Sequence, residues 1–255
     1  MKNDLWTLCK GHTHTTSIQT EAWRIVEAQH SSATRKLVDT LEEHQILEEM
    51  INSAKPPINL TEFTGFDYLH YTPFRYPPLA YGSRFGTRTE RSLWYGSLQL
   101  STAMAETAFY RFAFLRASRA TFGIVETWLT SFIAEVKTKR GIDLTQKPFF
   151  QHAETISAPN AYGTSQQLGM EMRNNKVEAF YYFSARDPKR EKNIGVFDPN
   201  AFATRQPKIG SFQTWQCFTT ATTVEFTRAS TQQKEVIKFP IETFLIKNKL
   251  PFPAN

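Results

Sequence analysis

The sequence predicts a mixed α/β protein with more strand than helix in its second half. Residues 17–53 carry apolar side chains at helical spacing, whereas short aromatic and alternating stretches follow residue 178. No apolar run reaches 18 residues, so no membrane-spanning helix is expected. The 255 residues, 40% of them hydrophobic, suit one large domain or a domain with an appendage.

The N-terminal part has the stronger helical pattern. Apolar residues from Trp23 to Ile51 alternate with charged ones without an intervening proline, and Pro56-Pro57 ends the segment. A helical hairpin packed on the main domain explains the pattern, and so does a surface for partner docking or dimerisation. We therefore divide the chain into an N-terminal helical segment, residues 1–57, and a core, residues 58–255.

The core begins with residues 63–95, which are rich in proline, glycine and aromatic side chains and predict extended pieces joined by turns. The elements expected within or after this stretch are a strand at 93–96, a helix at 101–115, a strand or helix at 122–136, a helix preceded by a loop within 160–175, and strands at 179–183, 194–197, 212–219 and 223–229.

The net charge of +6 comes from scattered Lys and Arg, and no nucleic-acid-binding motif is present. We therefore expect a phosphate-bearing small ligand and no direct DNA binding.

The cysteines and the N-terminus indicate a reduced, cytoplasmic protein that does not bind membranes. The two cysteines, Cys9 and Cys217, are far apart in the sequence, and the N-terminus lacks the apolar core of a signal peptide. His12 and His14 lack a third ligand nearby, so no metal site is expected.

Three charged residues between positions 74 and 111 are candidates for chemistry. Arg75 lies among prolines and Arg84 between two glycines, and an arginine fork binds phosphate or carboxylate in two contacts. Surface ion pairs are the alternative for both. Glu106 lies on a strongly apolar predicted helix, where a carboxylate is costly to bury unless a partner or ligand compensates it. A structural pair with an arginine would also explain it.

Two further candidates carry a hydroxyl group. Tyr95, in a predicted strand, could stack on a planar ring or donate a hydrogen bond, although an aromatic strand residue usually belongs to the core. Ser184 follows the strand at 179–183 and begins a polar loop, a place that suits a functional side chain. No Gly-x-Ser-x-Gly motif surrounds it, so a hydrolase nucleophile is not expected, and a turn or capping role is the alternative.

Several blocks in fixed order resemble a known family. Arg75 is followed by GSRFG, LWYGS, TAMAETAFYR and YYFSARDP, with Asn193 and VFDP behind. This order is similar to that of the RES-domain family, named for an arginine, a glutamate and a serine, which here would be Arg75, Glu106 and Ser184. The segment WRIVEAQHSSATRKLVDT also resembles the helical N-terminal part of one branch of that family.

The resemblance implies a fold like that of ADP-ribosyltransferases and a toxin that consumes NAD⁺ as its substrate, without a cofactor. Its expected partner is a cognate Xre-type helix-turn-helix antitoxin. By this resemblance Arg75, Glu106 and Ser184 are catalytic, and Arg75, Arg84, Tyr95 and Ser184 bind NAD⁺. Around Arg84 this sequence, Gly82-Ser83-Arg84-Phe85-Gly86, differs from the glycine-rich version of the motif that is common in the family.

Three functions follow as alternatives. The first is cleavage of the nicotinamide–ribose bond of NAD⁺ by a glycohydrolase or phosphorylase, which would deplete NAD⁺. The second is ADP-ribosylation of a protein target through the same NAD⁺ site. The third is a non-catalytic interaction protein with a decayed pocket, against which the presence of Arg75, Glu106 and Ser184 together argues. The choice among water, phosphate and protein as acceptor is not encoded in these motifs.

Overall fold

The described residues form one mixed sheet of eight strands with helices packed around it. The computed structural model describes residues 4–28, 38–57, 61–118, 120, 123–230 and 235–252. The strands are β1 (Thr15–Glu27), β2 (Trp94–Ser97), β3 (Val125–Asp143), β4 (Ala179–Phe183), β5 (Lys192–Val196), β6 (Gln213–Thr219), β7 (Thr223–Arg228) and β8 (Val236–Pro240).

The sheet contains a closed ring. Its order is β1-β2-β5-β4-β3-β6-β7-β8, and β1 also pairs with β3, so that β1, β2, β5, β4 and β3 close on one another. The contact of β1 with β3 is long, extending from Thr15 opposite Ile142 to Glu27 opposite Leu129. The contact of β1 with β2 is a single pair, Trp23 opposite Ser97. The ring is therefore weakly joined at one place.

The described helices are mostly short, and one of them packs against β1 and β2, the two strands of this weak join. Helix α4 buries Met104, Phe109 and Phe112 against Trp215 and other apolar residues of the later strands. Removing such large side chains from water is the main source of stability in this layer. The helices are α1 (Leu5–Leu8), α2 (Leu41–Ala54), α3 (Tyr68–Arg75), α4 (Leu100–Ala117), α5 (Ala153–Ile156) and α6 (Gly163–Asn174).

The predicted mixed α/β class is confirmed, but the predicted helix over residues 17–53 is wrong in its first part. Strand β1 occupies Thr15–Glu27 and is part of the same sheet as the core, whereas α2 agrees with the second part. Ile18 and Ala22 are buried and lie four residues apart, a spacing that fits one side of a strand as well as one face of a helix. The division at residue 57 stays a prediction.

A second difference lies in residues 63–95. Helix α3 forms there, because the Asp67 side chain accepts a hydrogen bond from the Leu69 N–H at 2.8 Å and so caps the helix start. Pro73 lies inside the helix, which ends two residues later at Arg75. Of the segment 122–136, predicted as strand or helix, residue 122 lies outside the described residues, the part from Val125 is strand, and β3 extends further to Asp143. No helix of the described residues is long and apolar enough to cross a membrane.

Candidate active site

A cavity of about 350 Å³ lies beside the weak join between β1 and β2. Its walls come from strands β1, β2, β4 and β5, from one face of α4 and from the segment between Leu79 and Arg84. The face of α4 contributes Ala103, Glu106 and Tyr110, which follow one another at intervals of three and four residues. The volume falls in the range of small-molecule sites.

The floor of the cavity is a row of residues across four strands. Trp23 lies opposite Ser97, Ser97 opposite Asn193, and Asn193 opposite Tyr182. Directly opposite residues project from the same face of a sheet. All four line the cavity. The register of the sheet therefore places an amide and a hydroxyl group below helix α4.

Glu106 receives two hydrogen bonds at one of its carboxylate oxygens. The Ser184 hydroxyl donates to Oε1 at 2.6 Å, and the Asn193 amide donates from Nδ2 to the same oxygen at 2.7 Å. No described residue donates a hydrogen bond to the other oxygen, Oε2. The carboxylate is thus held at one oxygen, and the second is available to a bound molecule.

Ser184 is fixed on all sides. Its oxygen accepts hydrogen bonds from the backbone N–H groups of Arg186 at 3.1 Å and Asp187 at 3.0 Å, so its own proton is directed at Glu106. The Asp187 carboxylate in turn accepts from the Thr102 hydroxyl of α4 at 2.7 Å. Because Ser184 is fully buried and its lone pairs are occupied, it is a donor to Glu106 rather than a nucleophile.

Arg84 and Arg24 bring positive charge to the cavity lining. Arg84 Nη1 donates to the Ala158 carbonyl at 2.6 Å, and its guanidinium lies 4.8 Å from the centre of the Tyr162 ring. Arg24 Nη1 donates to the Tyr95 carbonyl at 2.6 Å and so links β1 to β2 beside their single residue pair. In the described part of the chain neither arginine has a carboxylate partner.

The inner part of the Arg24 side chain is desolvated. Its Nε is buried and has no hydrogen-bond partner among the described residues. Burial lowers the pKa of Arg24 to about 10, so the guanidinium is still protonated at neutral pH. A buried cation without an anion is costly, and a negatively charged ligand would offset this cost.

Tyr95 holds the loop that carries Arg84. Its hydroxyl oxygen accepts from the Phe85 N–H at 3.0 Å and shares a hydrogen bond with Ser83 Oγ at 3.0 Å. Burial raises the pKa of Tyr95 to about 12. The loop is tight at Gly82, where φ is 72° and a side chain would meet the Gly86 carbonyl. Tyr95 is therefore both a cavity wall and a support for Arg84.

Arg84, Tyr95 and Glu106 line the cavity, whereas Ser184 joins them only through its hydrogen bond to Glu106, and its predicted contact with NAD⁺ stays a prediction. Arg75 does not line the cavity, and its Nε donates to the Pro56 carbonyl at 2.8 Å. The role of Arg75 in catalysis and NAD⁺ binding stays a prediction.

The sequence interpretation missed Arg24 and did not assign Asn193 to the site. In the sequence, Arg24 is a lone arginine between the apolar residues Trp23 and Ile25. It was not singled out because this segment was predicted to be a helix, where an exposed arginine is ordinary. The described residues contain no group of three His, Cys, Asp or Glu that could hold a metal ion.

Comparison with protein families identifies the core of the chain. A model of the RES domain matches residues 59–219, more than half of the chain, and the match includes Arg84, Tyr95, Glu106, Ser184 and Asn193. Arg24 lies before the matched residues and reaches the site through β1. A comparison with curated proteins gave no match. The resemblance noted in the sequence is confirmed, and the chain belongs to the RES domain family.

Proposed function

We propose that this protein is a toxin that cleaves the nicotinamide–ribose bond of NAD⁺, as a glycohydrolase or phosphorylase, and is held inactive by an Xre-type antitoxin. The observation that carries the proposal is a half-buried carboxylate, Glu106, held at one oxygen beside two arginines without carboxylate partners. Membership of the RES domain family is consistent with an NAD⁺-using toxin. NAD⁺ is a substrate here and not a cofactor.

The charges suit a dinucleotide. The pyrophosphate of NAD⁺ carries two negative charges, and Arg24 and Arg84 supply two positive charges at the cavity lining. Arginine is suited to phosphate because its planar fork donates two parallel hydrogen bonds. We assign Arg84 to the pyrophosphate, and Arg24 to the positive potential that favours anion entry.

The aromatic lining suits the planar rings of the same molecule. Aromatic faces stack on planar bases and on the pyridinium ring of nicotinamide, which is itself cationic before cleavage. Tyr95 is our candidate for the nicotinamide end because it lines the same cavity as Glu106. The tyrosines of the lining are Tyr81, Tyr95, Tyr110, Tyr162 and Tyr182.

Glu106 supplies the chemistry of bond cleavage. When the C1′–N bond breaks, its electron pair goes to the nicotinamide nitrogen, and positive charge develops on the ribose as in glycoside hydrolysis. A carboxylate beside C1′ stabilises this charge, and its unoccupied Oε2 can accept a proton from an attacking water. Water yields ADP-ribose, whereas phosphate yields the 1-phosphate of ADP-ribose. Ser184 keeps Oε1 in place during both reactions.

The test is nicotinamide release from NAD⁺ by Glu106→Gln, followed by chromatography with and without phosphate. We expect a loss of at least about 100-fold in kcat, because a neutral amide no longer stabilises the developing charge. Glu242→Gln, which changes an exposed carboxylate in the same way, should retain full activity.

The assays also separate the alternatives. Full turnover by Glu106→Gln would contradict the role of Glu106. Absence of release by the unaltered protein, together with labelling of a protein in a cell extract supplied with labelled NAD⁺, would instead support an ADP-ribosyltransferase. Dependence of release on phosphate would identify a phosphorylase.

A further inference from the structure

We propose that Asn193 and Ser97 are positioning residues that select which oxygen of Glu106 reaches the substrate. The inference deepens the proposed NAD⁺ cleavage and rests on it for its kinetic readout. Neither residue touches the reacting bond in this account. They act through the carboxylate, and they do so as one hydrogen-bond chain from β2 through β5 to α4.

The direction of the chain is determined by the Glu106 carboxylate, which when ionised can only accept hydrogen bonds. The Ser97 hydroxyl donates to Asn193 Oδ1 at 2.7 Å, so the amide oxygen faces Ser97 and the NH₂ group faces Glu106. The reverse orientation would place Asn193 Oδ1 against Glu106 Oε1 and leave no proton between them. Glu106 thus orients the Asn193 amide, and Ser97 supplies the donor that the amide oxygen needs in that orientation.

Burial makes this orientation costly to lose. Ser97 and Asn193 are both buried at the floor of the cavity, and hydrogen bonds in such surroundings are strengthened by the low local dielectric. The two residues are also directly opposite each other in the β2–β5 ladder. Their separation is therefore set by backbone pairing rather than by a loop, which suits a group that must hold a carboxylate in one orientation.

The other charged and titratable groups near Glu106 come from several elements and include the Asp187 carboxylate of the β4–β5 loop, which accepts a hydrogen bond from Thr102 of α4. Arg186 in the β4–β5 loop is buried, and Glu106 opposes the lowering of its pKa that burial causes. Tyr110 on α4 and Tyr182 on β4 lie near the carboxylate, and burial raises the pKa of the Tyr182 phenol well above the ordinary value, so Tyr182 is neutral in the working range. Arg24 and Arg84 complete the charged lining. An acid introduced at position 193 would therefore be the new anion nearest to Glu106.

The experiment is Asn193→Asp, which keeps the shape of the side chain but replaces the donor with a second carboxylate. Titration of Glu106 is followed by ¹³C NMR of protein labelled at the glutamate carboxyl carbons, with Glu106→Gln identifying the signal. We expect the titration midpoint of Glu106 to rise by at least about one pH unit, because two adjacent carboxylates share a proton. The acidic limb of kcat for NAD⁺ should move by the same amount.

Asn200→Asp is the matched control, because Asn200 is exposed and its substitution makes the same chemical change outside the site. It should move neither the NMR midpoint nor the acidic limb. Ser97→Ala provides a second variant with no new charge. It should lower kcat roughly tenfold with KM little changed, since the amide oxygen of Asn193 loses its donor and the amide is held less firmly against Glu106. Thermal melting of each variant confirms that it is folded.

The outcomes separate this inference from the proposed function. A raised NMR midpoint in Asn193→Asp supports the positioning role even if the unaltered protein releases no nicotinamide, in which case only the proposed function fails. An unchanged midpoint overturns the positioning role, whatever the activity. In an active protein, Ser97→Ala with unaltered kcat would also overturn it.

Discussion

The cavity combines one carboxylate held at a single oxygen with two arginines that lack carboxylate partners in the described chain. At the scale of single residues, the site is therefore defined by an excess of positive over negative side-chain charge. A cation without a partner is a cost in the free protein and a gain when an anionic ligand enters. Arg75 is placed differently, since it lies outside the cavity lining and bonds to a backbone carbonyl.

Arginine substitutions should therefore separate by position. Arg84→Ala should raise the dissociation constant for NAD⁺ roughly 10- to 100-fold, the effect of losing one charge-assisted contact in a desolvated site, and Arg24→Ala should raise it by a smaller factor because Arg24 acts through its positive potential. Arg75→Ala should change it less than about twofold. Calorimetric titration in the Glu106→Gln background measures binding without turnover. A large effect of Arg75→Ala and none of Arg84→Ala would reverse the assignment.

Single residues were predictable from the sequence where their type conflicted with their surroundings. Glu106 stood out because its helix is otherwise apolar, and Ser184 because it follows a strand end. Arg24 did not stand out, since charged residues are ordinary on the exposed face of the helix expected there. Asn193 could not be assigned a role because the row that joins it to Ser97 depends on strand pairing.

At the scale of elements, strand β2 and the loop before it form one functional unit. The Tyr95 hydroxyl bonds to Ser83 and Phe85, which flank Arg84 in the chain. Gln166 on α6 adds a second support by donating to the carbonyls of Tyr81 and Ser83. The position of the Arg84 guanidinium thus depends on a strand residue that need not touch the pyrophosphate.

Tyr95→Phe should consequently weaken NAD⁺ binding more than it slows chemistry. The Phe85 N–H loses its acceptor, and the loop that carries Arg84 becomes less constrained. We expect KM for NAD⁺ to rise roughly three- to tenfold, the equivalent of one neutral hydrogen bond, with kcat within about twofold of the unaltered protein. Tyr76→Phe, outside the cavity lining, is the control. Steady-state kinetics check the result, and a selective loss of kcat would argue against a supporting role.

Element types were predictable where apolar periodicity was long or followed strict alternation, as in α4 and β6. The prediction failed for β1 because Ile18, Ala22 and Val26 recur every four residues, a spacing shared by helices and strands. The decisive interaction was the ladder with β3, more than 100 residues away in sequence. Long-range pairing of this kind cannot be deduced from local spacing.

At the scale of the whole molecule, a buried histidine lies in the apolar core associated with the closed ring. His70 is fully buried and stacks on Phe202, with ring centres 4.4 Å apart. Its ring nitrogens make no hydrogen bond of good geometry in the described chain, although the Arg205 carbonyl is near enough to favour the charged form slightly. Burial outweighs this effect and lowers the pKa of His70 to about 4.

Stability should therefore fall as the solution becomes acidic. The unfolded chain takes up a proton at the ordinary histidine pKa of 6.5, whereas the folded protein resists until about 4, so protonation favours unfolding between these values. We expect this residue to account for up to about 3 kcal/mol of lost unfolding free energy over that range. Urea unfolding at a series of pH values should show a smaller loss for His70→Phe. His12→Phe, at an exposed histidine, should behave like the unaltered protein. Identical acid sensitivity of His70→Phe would contradict this account.

The row from Trp23 through Ser97 and Asn193 to Tyr182 has a consequence for how the protein tolerates insertions and deletions. A one-residue slip of β5 would turn Asn193 away from the cavity and bring Ile194 into its place, so the active carboxylate would lose its amide donor in a single step. Length changes confined to the β4–β5 loop beyond Asp187, by contrast, leave the strand pairs unchanged. Among related chains, the pairing of these four positions should accordingly vary less than the length of that loop.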